Sequence, residues 1–263
     1  MSMDKMADKM KKILADSSNI VVLSGLNVMR ETGLNGIRAE HIAYEIEEEY
    51  GYSNEEIISS AFVSRRSDIF FDYYKNIILN IDNPQPTLVH KSIAQLQEKG
   101  KIDGIITRTT YGLYRKAGCK NVLEMHGTVD ENVCPVCGKT FDMNYIKKAP
   151  GIPVCDECQM PLRPGFTLLG ERVDNGKVTD SCNLVEKAEV LLILGAAIRS
   201  PLCQYVIRYY QGNKMLLINT QEKMGDDIAN CRIYGSLSEL IPYVTGYEEK
   251  KETKQTKQTK KKS

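Results

Sequence analysis

Four cysteines in two pairs carry the strongest chemical signal in this 263-residue sequence. Cys134 and Cys137 form one Cys-x-x-Cys pair, and Cys155 and Cys158 form another after seventeen intervening residues. This spacing is typical of a zinc site, because each tight turn presents two thiolates to one Zn²⁺ ion. Four thiolates complete a tetrahedral shell without a water, so the predicted zinc stabilises structure and performs no chemistry. A redox pair, or four unrelated thiols, is the alternative interpretation.

One histidine and one glycine turn are the other candidates for chemistry. His126 follows an apolar segment at 121–125, and a neutral imidazole near pH 7 can accept a proton from a hydroxyl. A histidine at the end of a strand is nevertheless more often a core residue with satisfied hydrogen bonds. Gly25 follows the apolar segment 20–23, where a nucleotide-binding sheet places its phosphate loop. Without a full G-x-G-x-x-G pattern, this turn fits an ordinary strand–loop connection equally well.

Six short apolar segments predict the strands that position these residues. They lie at 20–23, 104–107, 121–125, 190–195, 214–219 and 232–234. Helical patterns precede or separate most of them, at 4–16, 87–98, 180–188, 200–211 and 236–244. Alternating apolar strands and helices indicate an α/β fold with a doubly wound parallel sheet of about six strands. The cysteine pairs interrupt the alternation and therefore belong to an inserted small zinc-binding module.

Residues 38–80 predict a second insertion, which is helical. Phe70, Phe71, Tyr73 and Tyr74 fall in this region. An aromatic stripe at this spacing is typical of a hydrophobic core, and we prefer that interpretation to a cofactor-binding surface. Four further cysteines adjoin apolar segments and are predicted to be buried free thiols: Cys119, Cys182, Cys203 and Cys231.

The composition excludes several functional classes. A hydrophobic fraction of 42% and a charged fraction of 26% suit one large domain with an inserted module. The net charge of +1 predicts no specific nucleic-acid partner, although residues 248–263 hold seven Lys and three Glu. No apolar run approaches the eighteen residues of a membrane span, and the charged N-terminal helix differs from a secretory signal. Thiolates and unpaired cysteines favour a reducing compartment, so the predicted location is cytoplasmic.

Several motifs, taken in this order, resemble those of the sirtuin family, the NAD-dependent protein lysine deacylases. The resemblance covers about residues 15–245. Beside the cysteine pairs, five features carry it. The stretch 106–113 with Ala117-Gly118 resembles T-Q-N-I-D-x-L and A-G, the stretch 123–127 resembles E-L-H-G, and the stretches 162–164 and 169–171 resemble L-R-P and F-G-E. The stretch 193–198 occupies the place of G-T-S-L, and residues 218–219 occupy the place of I-N.

The resemblance implies a Rossmann-like domain that binds NAD, a small zinc domain, and an acylated-lysine protein or peptide in the cleft between them. The acyl oxygen attacks the ribose carbon as nicotinamide leaves, and the acyl group passes to ADP-ribose. Matched by position, His126 is the base that takes a proton from the ribose hydroxyls. Gly170 and Glu171 match the segment that pairs its backbone with the substrate as an added strand. The implied NAD contacts are Gly25, Gly33, Arg38, Gly195 and Asn219.

The same comparison predicts the domain boundaries. Residues 1–130 form the first part of the Rossmann-like domain, with the helical insertion at about 38–80. Residues 131–162 form the zinc-binding module, and residues 163–247 form the remainder of the Rossmann-like domain. Residues 248–263 are low in apolar side chains and are predicted to be a disordered Lys-rich tail.

The sequence departs from the family pattern where NAD would bind. The substituted positions are Asn27, Met29, Gly36, Arg108, Thr109, Tyr111, Ala196 and Ala197. About five polar groups are removed, and two uncompensated hydrogen bonds would weaken binding on the order of a hundredfold. Arg108 could hold a phosphate and Tyr111 could stack on a ring. Two hypotheses stay open: an NAD-dependent deacylase or ADP-ribosyl transferase, which the retained His126 favours, and a catalytically impaired binding module or sensor of another nucleotide.

Overall fold

The computed structural model describes residues 3–30, 34, 40–81 and 84–249. The predicted roles of Gly33 and Arg38, the substitution at Gly36 and the tail beyond residue 249 lie outside the described residues. Within them, the chain forms eight strands: β1 (Ile20–Ser24), β2 (Ile102–Thr107), β3 (Val122–Glu124), β4 (Asn132–Val133), β5 (Thr140–Phe141), β6 (Val190–Leu194), β7 (Met215–Asn219) and β8 (Cys231–Tyr234).

Six of these strands form one parallel sheet in the order β3-β2-β1-β6-β7-β8. The predicted doubly wound parallel sheet is therefore confirmed, and its six predicted strands agree with the observed bounds to within two residues. β1, β6 and β7 are buried along their whole length, because helices cover both faces of a parallel sheet. β1 lies between β2 and β6, so the strand order reverses at this point. β4 and β5 form a separate antiparallel pair.

The described part of the chain contains twelve α-helices: α1 (Met3–Asp16), α2 (Leu26–Arg30), α3 (Ala43–Tyr50), α4 (Asn54–Ile57), α5 (Ser60–Arg65), α6 (Ser67–Tyr73), α7 (Leu88–Glu98), α8 (Leu113–Lys116), α9 (Met143–Lys148), α10 (Asn175–Lys187), α11 (Pro201–Ile207) and α12 (Leu237–Thr245). A π-helical turn at Tyr74–Ile78 continues α6. α1, α7 and α12 pack on one face of the sheet, and α10 and α11 pack on the other. None of the described helices is long and apolar enough to cross a membrane.

Local hydrogen bonds explain two differences from the predicted helices. The helix predicted at 180–188 begins earlier, as α10, because the Asp174 side chain accepts a hydrogen bond from Lys177 N at 2.8 Å and caps the first turn. The helix predicted at 200–211 ends as α11 at Ile207. The chain then turns, and the Tyr210 hydroxyl donates to Glu189 O at 2.8 Å and accepts from Lys214 N at 3.0 Å.

The helical insertion has its own hydrophobic cluster. Phe70, Phe71, Tyr73 and Tyr74 are at most 2% exposed, which confirms that the aromatic stripe is core. The same cluster includes two of the paired cysteines, so the insertion and the cysteine segment share one core. The four cysteines outside the two Cys-x-x-Cys pairs are buried free thiols, as predicted.

Two glycines allow the loops that follow β1 and β6 to touch. Gly25 N donates to Leu194 O at 2.8 Å, and Asn27 N donates to Gly195 O at 3.1 Å. A Cβ on Gly25 would lie 2.4 Å from the Cα of Ala196. Gly195 has a φ of +57°, and its Cβ would lie 2.8 Å from Val28 N. Side chains at either glycine would therefore push the two halves of the sheet apart at their junction.

The Gly195→Ala variant should lose about 3 kcal/mol of unfolding free energy, since it combines a positive φ with a backbone clash. Gly151→Ala is a matched control, because Gly151 has a φ of +60° and no atom within 4 Å of its added Cβ. We expect this control to lose only about 1 kcal/mol. Urea denaturation measures both values, and equal losses would contradict the close approach.

Candidate active site and metal centre

The carboxyl ends of β1, β6 and β7 meet where the strand order reverses, which is where open α/β sheets bind nucleotides. Asn27 Nδ2 donates to Asn219 Oδ1 at 2.9 Å, and Asn219 Nδ2 donates to Ala196 O at 3.0 Å. The structure therefore brings together three of the predicted cofactor contacts, Gly25, Gly195 and Asn219. Asn27, which replaces a family glycine, is buried, and its side-chain amide joins the loop after β1 to the end of β7.

Arg108 places a cation at the same edge of the sheet. Its backbone N donates to Ser24 O at 3.1 Å, and its Nη1 donates to Ser200 Oγ at 3.2 Å. Its Nε is buried and has no hydrogen-bond partner among the described residues. A buried donor without a partner is costly, so an anionic ligand group at this edge would satisfy it. The residues present therefore fit a phosphate-containing nucleotide.

The residues at two other substituted positions make hydrogen bonds within the protein. Thr109 Oγ1 lies 2.9 Å from Thr107 Oγ1, and Thr109 N donates to Thr107 Oγ1 at 3.1 Å. Tyr111 is 2% exposed within the core of the helical insertion, and its hydroxyl donates to Ile78 O at 3.4 Å. Tyr111 is thus a core residue, and the idea that it stacks on a ligand ring is wrong.

His126 lies immediately after β3, at the same carboxyl edge of the sheet. Met125 N donates to Thr107 O at 2.9 Å, and Gly127 N donates to Glu124 O at 3.0 Å, which forms a turn around the histidine. Thr167 N donates to His126 O at 2.9 Å. The His126 side chain is half-buried. Backbone bonds on both sides therefore fix the backbone of His126 between the sheet and the segment that leads to Gly170.

Asn132 connects three parts of this site and was missed in the sequence. It is fully buried; its Oδ1 accepts from Tyr74 OH at 3.0 Å and from Gly165 N at 3.2 Å. Its Nδ2 donates to Val129 O at 2.8 Å and to Phe141 O at 3.2 Å. One amide thus joins the helical insertion, the cysteine segment and the chain beside His126. A lone Asn ahead of a cysteine pair carries no sequence signal for this role.

Glu124, two residues before His126, is a buried carboxylate with a strongly raised pKa. Its side chain is 3% exposed, and its Oε2 lies 3.1 Å from Arg115 Nε. Burial raises the pKa of Glu124 to about 7, although Arg115 acts in the opposite direction. A charged residue at the end of an otherwise apolar strand was the available signal.

The predicted substrate-binding segment is held on one side by backbone hydrogen bonds to the helical insertion. Leu169 N donates to Ile58 O at 3.0 Å, and Ser60 N donates to Leu169 O at 2.9 Å. Glu171 Oε2 accepts a hydrogen bond from Leu168 N at 2.9 Å, and Glu171 also pairs with Arg163. The Glu171 carboxylate therefore stabilises its own loop, while Gly170 is exposed at the tip of that loop.

The four paired cysteines form one cluster. Their Sγ atoms all lie within 4.8 Å of one another, and those of Cys137 and Cys155 are 3.7 Å apart. Zn–S bonds of about 2.3 Å place the corners of a tetrahedron about 3.8 Å apart, so the donor set fits Zn²⁺. Cys134 N donates to Lys139 O at 2.9 Å, and Cys155 N donates to Met160 O at 2.8 Å, which closes each knuckle.

Replacing one zinc ligand should empty the centre. We expect Cys155→Ala to contain no zinc and to melt at a clearly lower temperature, because structural zinc contributes directly to folding. Cys203→Ala is the matched control, since Cys203 is also fully buried but lies on α11. It should retain one zinc per chain. Elemental analysis by mass spectrometry measures this, and a full zinc content in Cys155→Ala would contradict the assignment.

Glu124 should make the stability of the protein fall as the pH rises. Its pKa is higher in the folded chain, so the folded state keeps a proton that the unfolded chain loses between pH 4.5 and about 7. Between pH 5 and pH 8, the wild type should lose about 2–3 kcal/mol relative to Glu124→Gln. Glu131→Gln is the control, because Glu131 pairs with the same Arg115 at the surface. Urea denaturation at both pH values tests this, and a constant difference for Glu124→Gln would contradict it.

The sequence profile of the Sir2 family matches residues 24–200 of this chain. An NAD-dependent protein deacetylase of Clostridium acetobutylicum is 33% identical over 238 residues, which are 90% of this chain and 97% of that protein. The NAD-dependent protein deacylase 1 of Archaeoglobus fulgidus is 26% identical over 247 residues, which are 93% of this chain and 99% of that protein.

Solved structures agree over nearly the whole chain. A Sir2 protein bound to an acetylated peptide is 26% identical, with a TM-score of 0.75 over 94% of this chain and 98% of that chain. A Sir2 complex with a p53 peptide and NAD⁺ is 25% identical, with a TM-score of 0.73 over the same shares of the two chains. Sequence, fold and cysteine cluster agree, and the chain belongs to the Sir2 (sirtuin) family.

Proposed function

We propose that this chain is an NAD-dependent protein lysine deacylase, which transfers the acyl group of an acylated-lysine protein or peptide to ADP-ribose and releases nicotinamide. The placement of His126 carries the proposal. It lies two residues after β3, at the same carboxyl edge of the sheet as the Gly25 and Gly195 loops, and its carbonyl accepts a hydrogen bond from the segment that leads to Gly170. The named deacetylase and deacylase relatives, which cover at least 90% of this chain, support the same activity.

Each part of the site has a defined task in this proposal. His126 takes a proton from a ribose hydroxyl, as a neutral imidazole can near pH 7. Gly25, Gly195 and Asn219 hold NAD. This dinucleotide supplies the reactive ribose carbon and the nicotinamide leaving group. Gly170 and the backbone of Glu171 pair with the substrate peptide as an added strand. The four-cysteine zinc centre stabilises one wall of the cleft and takes no part in the reaction.

The domain boundaries and the location follow the same interpretation. Residues 1–130 and 163–247 form the Rossmann-like domain, with the helical insertion at about 38–80, and residues 131–162 form the zinc-binding module. Eight free cysteines, four of them in a cluster that fits zinc, favour a reducing compartment and therefore the cytoplasm.

A catalytically impaired binding module, or a sensor of another nucleotide, is the second candidate. Thr109 and Tyr111 favour it, because the family's Asn and Asp at these positions serve the ribose and the nicotinamide amide. Here both side chains make hydrogen bonds within the protein. Incubation with NAD⁺ and with acetylated and longer acyl peptides separates the two candidates. Nicotinamide release supports the deacylase, whereas no release with any acyl chain, together with no NAD⁺ binding by calorimetry, would overturn it.

The His126→Ala variant should lose at least about a hundredfold in kcat while its melting temperature stays nearly unchanged, since a general base contributes 10²–10⁴-fold. His41→Ala is the control, because His41 is exposed in a 3₁₀ turn between the described helices. It should keep its activity. Nicotinamide release and thermal melting give the two readouts, and a large drop in melting temperature for His126→Ala would mark the residue as structural.

A further inference from the structure

The segment 163–167 leads from the cysteine cluster to the predicted substrate-binding segment, and it runs beside the chain that follows His126. Its first residue, Arg163, exchanges two backbone hydrogen bonds with Val133, at 2.8 and 2.9 Å. Its last residue, Thr167, donates from its backbone N to His126 O at 2.9 Å. The pairing along this segment therefore sets where the substrate-binding segment lies relative to His126.

A side chain completes the middle of this pairing. A turn at 128–131, closed by a hydrogen bond from Glu131 N to Thr128 O at 3.4 Å, interrupts the backbone there. Gly165 O accepts from Thr128 N at 3.0 Å, but Gly165 N donates at 3.2 Å to the side-chain Oδ1 of Asn132. The Asn132 amide thus takes the place that a backbone carbonyl has in regular pairing.

Hydrogen bonds hold the Asn132 amide in one orientation. The residue is fully buried, and its amide makes four hydrogen bonds, which is its full capacity. Besides Gly165 N, Oδ1 accepts from Tyr74 OH at 3.0 Å. Nδ2 donates to Val129 O at 2.8 Å and to Phe141 O at 3.2 Å. Rotation of the amide would leave buried donors and acceptors without partners, which is costly.

The packing around this amide is too close to absorb a shift. A Cβ on Gly165 would lie 2.3 Å from Thr128 O, and a Cβ on Gly127 would lie 2.1 Å from Gly165 O. The Tyr74 ring packs edge to face against Phe166, with 5.4 Å between the ring centroids. Because closely packed interiors transmit strain, a change in the side-chain amide would pass along the segment.

We propose that Asn132 is a positioning residue of the deacylase reaction, whose amide holds the substrate-binding segment in register with His126. The inference rests on the proposed function, because it requires an acyl peptide at Gly170. Asn132 is fully buried, so it acts through the segment 163–167 and not by touching the substrate. A misplacement of about 1 Å can cost on the order of a hundredfold in rate.

The Tyr74→Phe variant tests the proposal with little disturbance, because it keeps the ring beside Phe166 and removes the hydroxyl that donates to Asn132. We expect KM for an acetylated peptide to rise about fivefold, as the loss of one hydrogen bond predicts, while KM for NAD⁺ stays unchanged. Tyr145→Phe is the matched control, since the Tyr145 hydroxyl donates to Val154 O at 2.8 Å within the cysteine segment. It should change neither KM. Nicotinamide release measures both constants.

The Asn132→Ala variant removes the whole amide and should raise the peptide KM at least about tenfold. Hydrogen exchange adds a readout without turnover: the backbone amides of Gly165 and Thr167 should exchange faster than in the wild type. Destabilisation alone lowers the folded fraction and therefore the apparent kcat, but it leaves both KM values unchanged. A rise in the peptide KM alone therefore distinguishes positioning from folding. Tyr74→Phe decides the question if Asn132→Ala does not fold.

Each result bears on one of the two proposals or on both. If the wild type is active and Tyr74→Phe raises the peptide KM no more than Tyr145→Phe does, Asn132 is structural and the deacylase proposal stands. The same conclusion follows if the KM values for peptide and NAD⁺ rise together, or if Asn132→Ala exchanges faster with an unchanged peptide KM. If the wild type releases no nicotinamide with any acyl peptide, both proposals fail.

Discussion

The contact between the loops after β1 and β6 is the constraint on which the site depends. Both loops cross the point where the strand order reverses, and they approach so closely that a Cβ on Gly25 would lie 2.4 Å from a backbone atom. Strand residues that are buried on both faces hold these loops in place, since every residue of β1 and β6 is buried. In the proposed function, the position of the dinucleotide is therefore set by the core of the sheet.

A second core supports the other side of the cleft. The helical insertion and the cysteine segment share one hydrophobic cluster, which contains Cys134 and Cys155 beside Tyr74 and Phe166. Two of the four zinc ligands are thus core residues. Asn132 adds polar connections within this region, because its amide binds groups on both sides of the cluster. A zinc ion at the cysteines consequently stabilises the chain beside His126 without touching a substrate.

Local patterns were sufficient to predict the scaffold. Short apolar segments predicted all six strands of the sheet, and the Cys-x-x-Cys spacing predicted the metal cluster, because these signals lie within a few neighbouring residues. The pairing of Asn27 with Asn219 could not be predicted in the same way, since it joins residues 192 positions apart. The burial of Tyr111 could not be predicted from its own segment either. Its surroundings are supplied by the helical insertion, which its own segment does not encode.

The substituted nucleotide site differs from the family pattern in both its polar groups and its charge. Thr109 and Tyr111 both use their hydroxyls in hydrogen bonds within the protein, and Tyr111 lies in the core of the helical insertion. Arg108 brings a buried Nε without a described partner to the same edge. Because hydrogen bonds to charged groups contribute more than those between neutral groups, an anionic group of a bound ligand would gain most from this Nε.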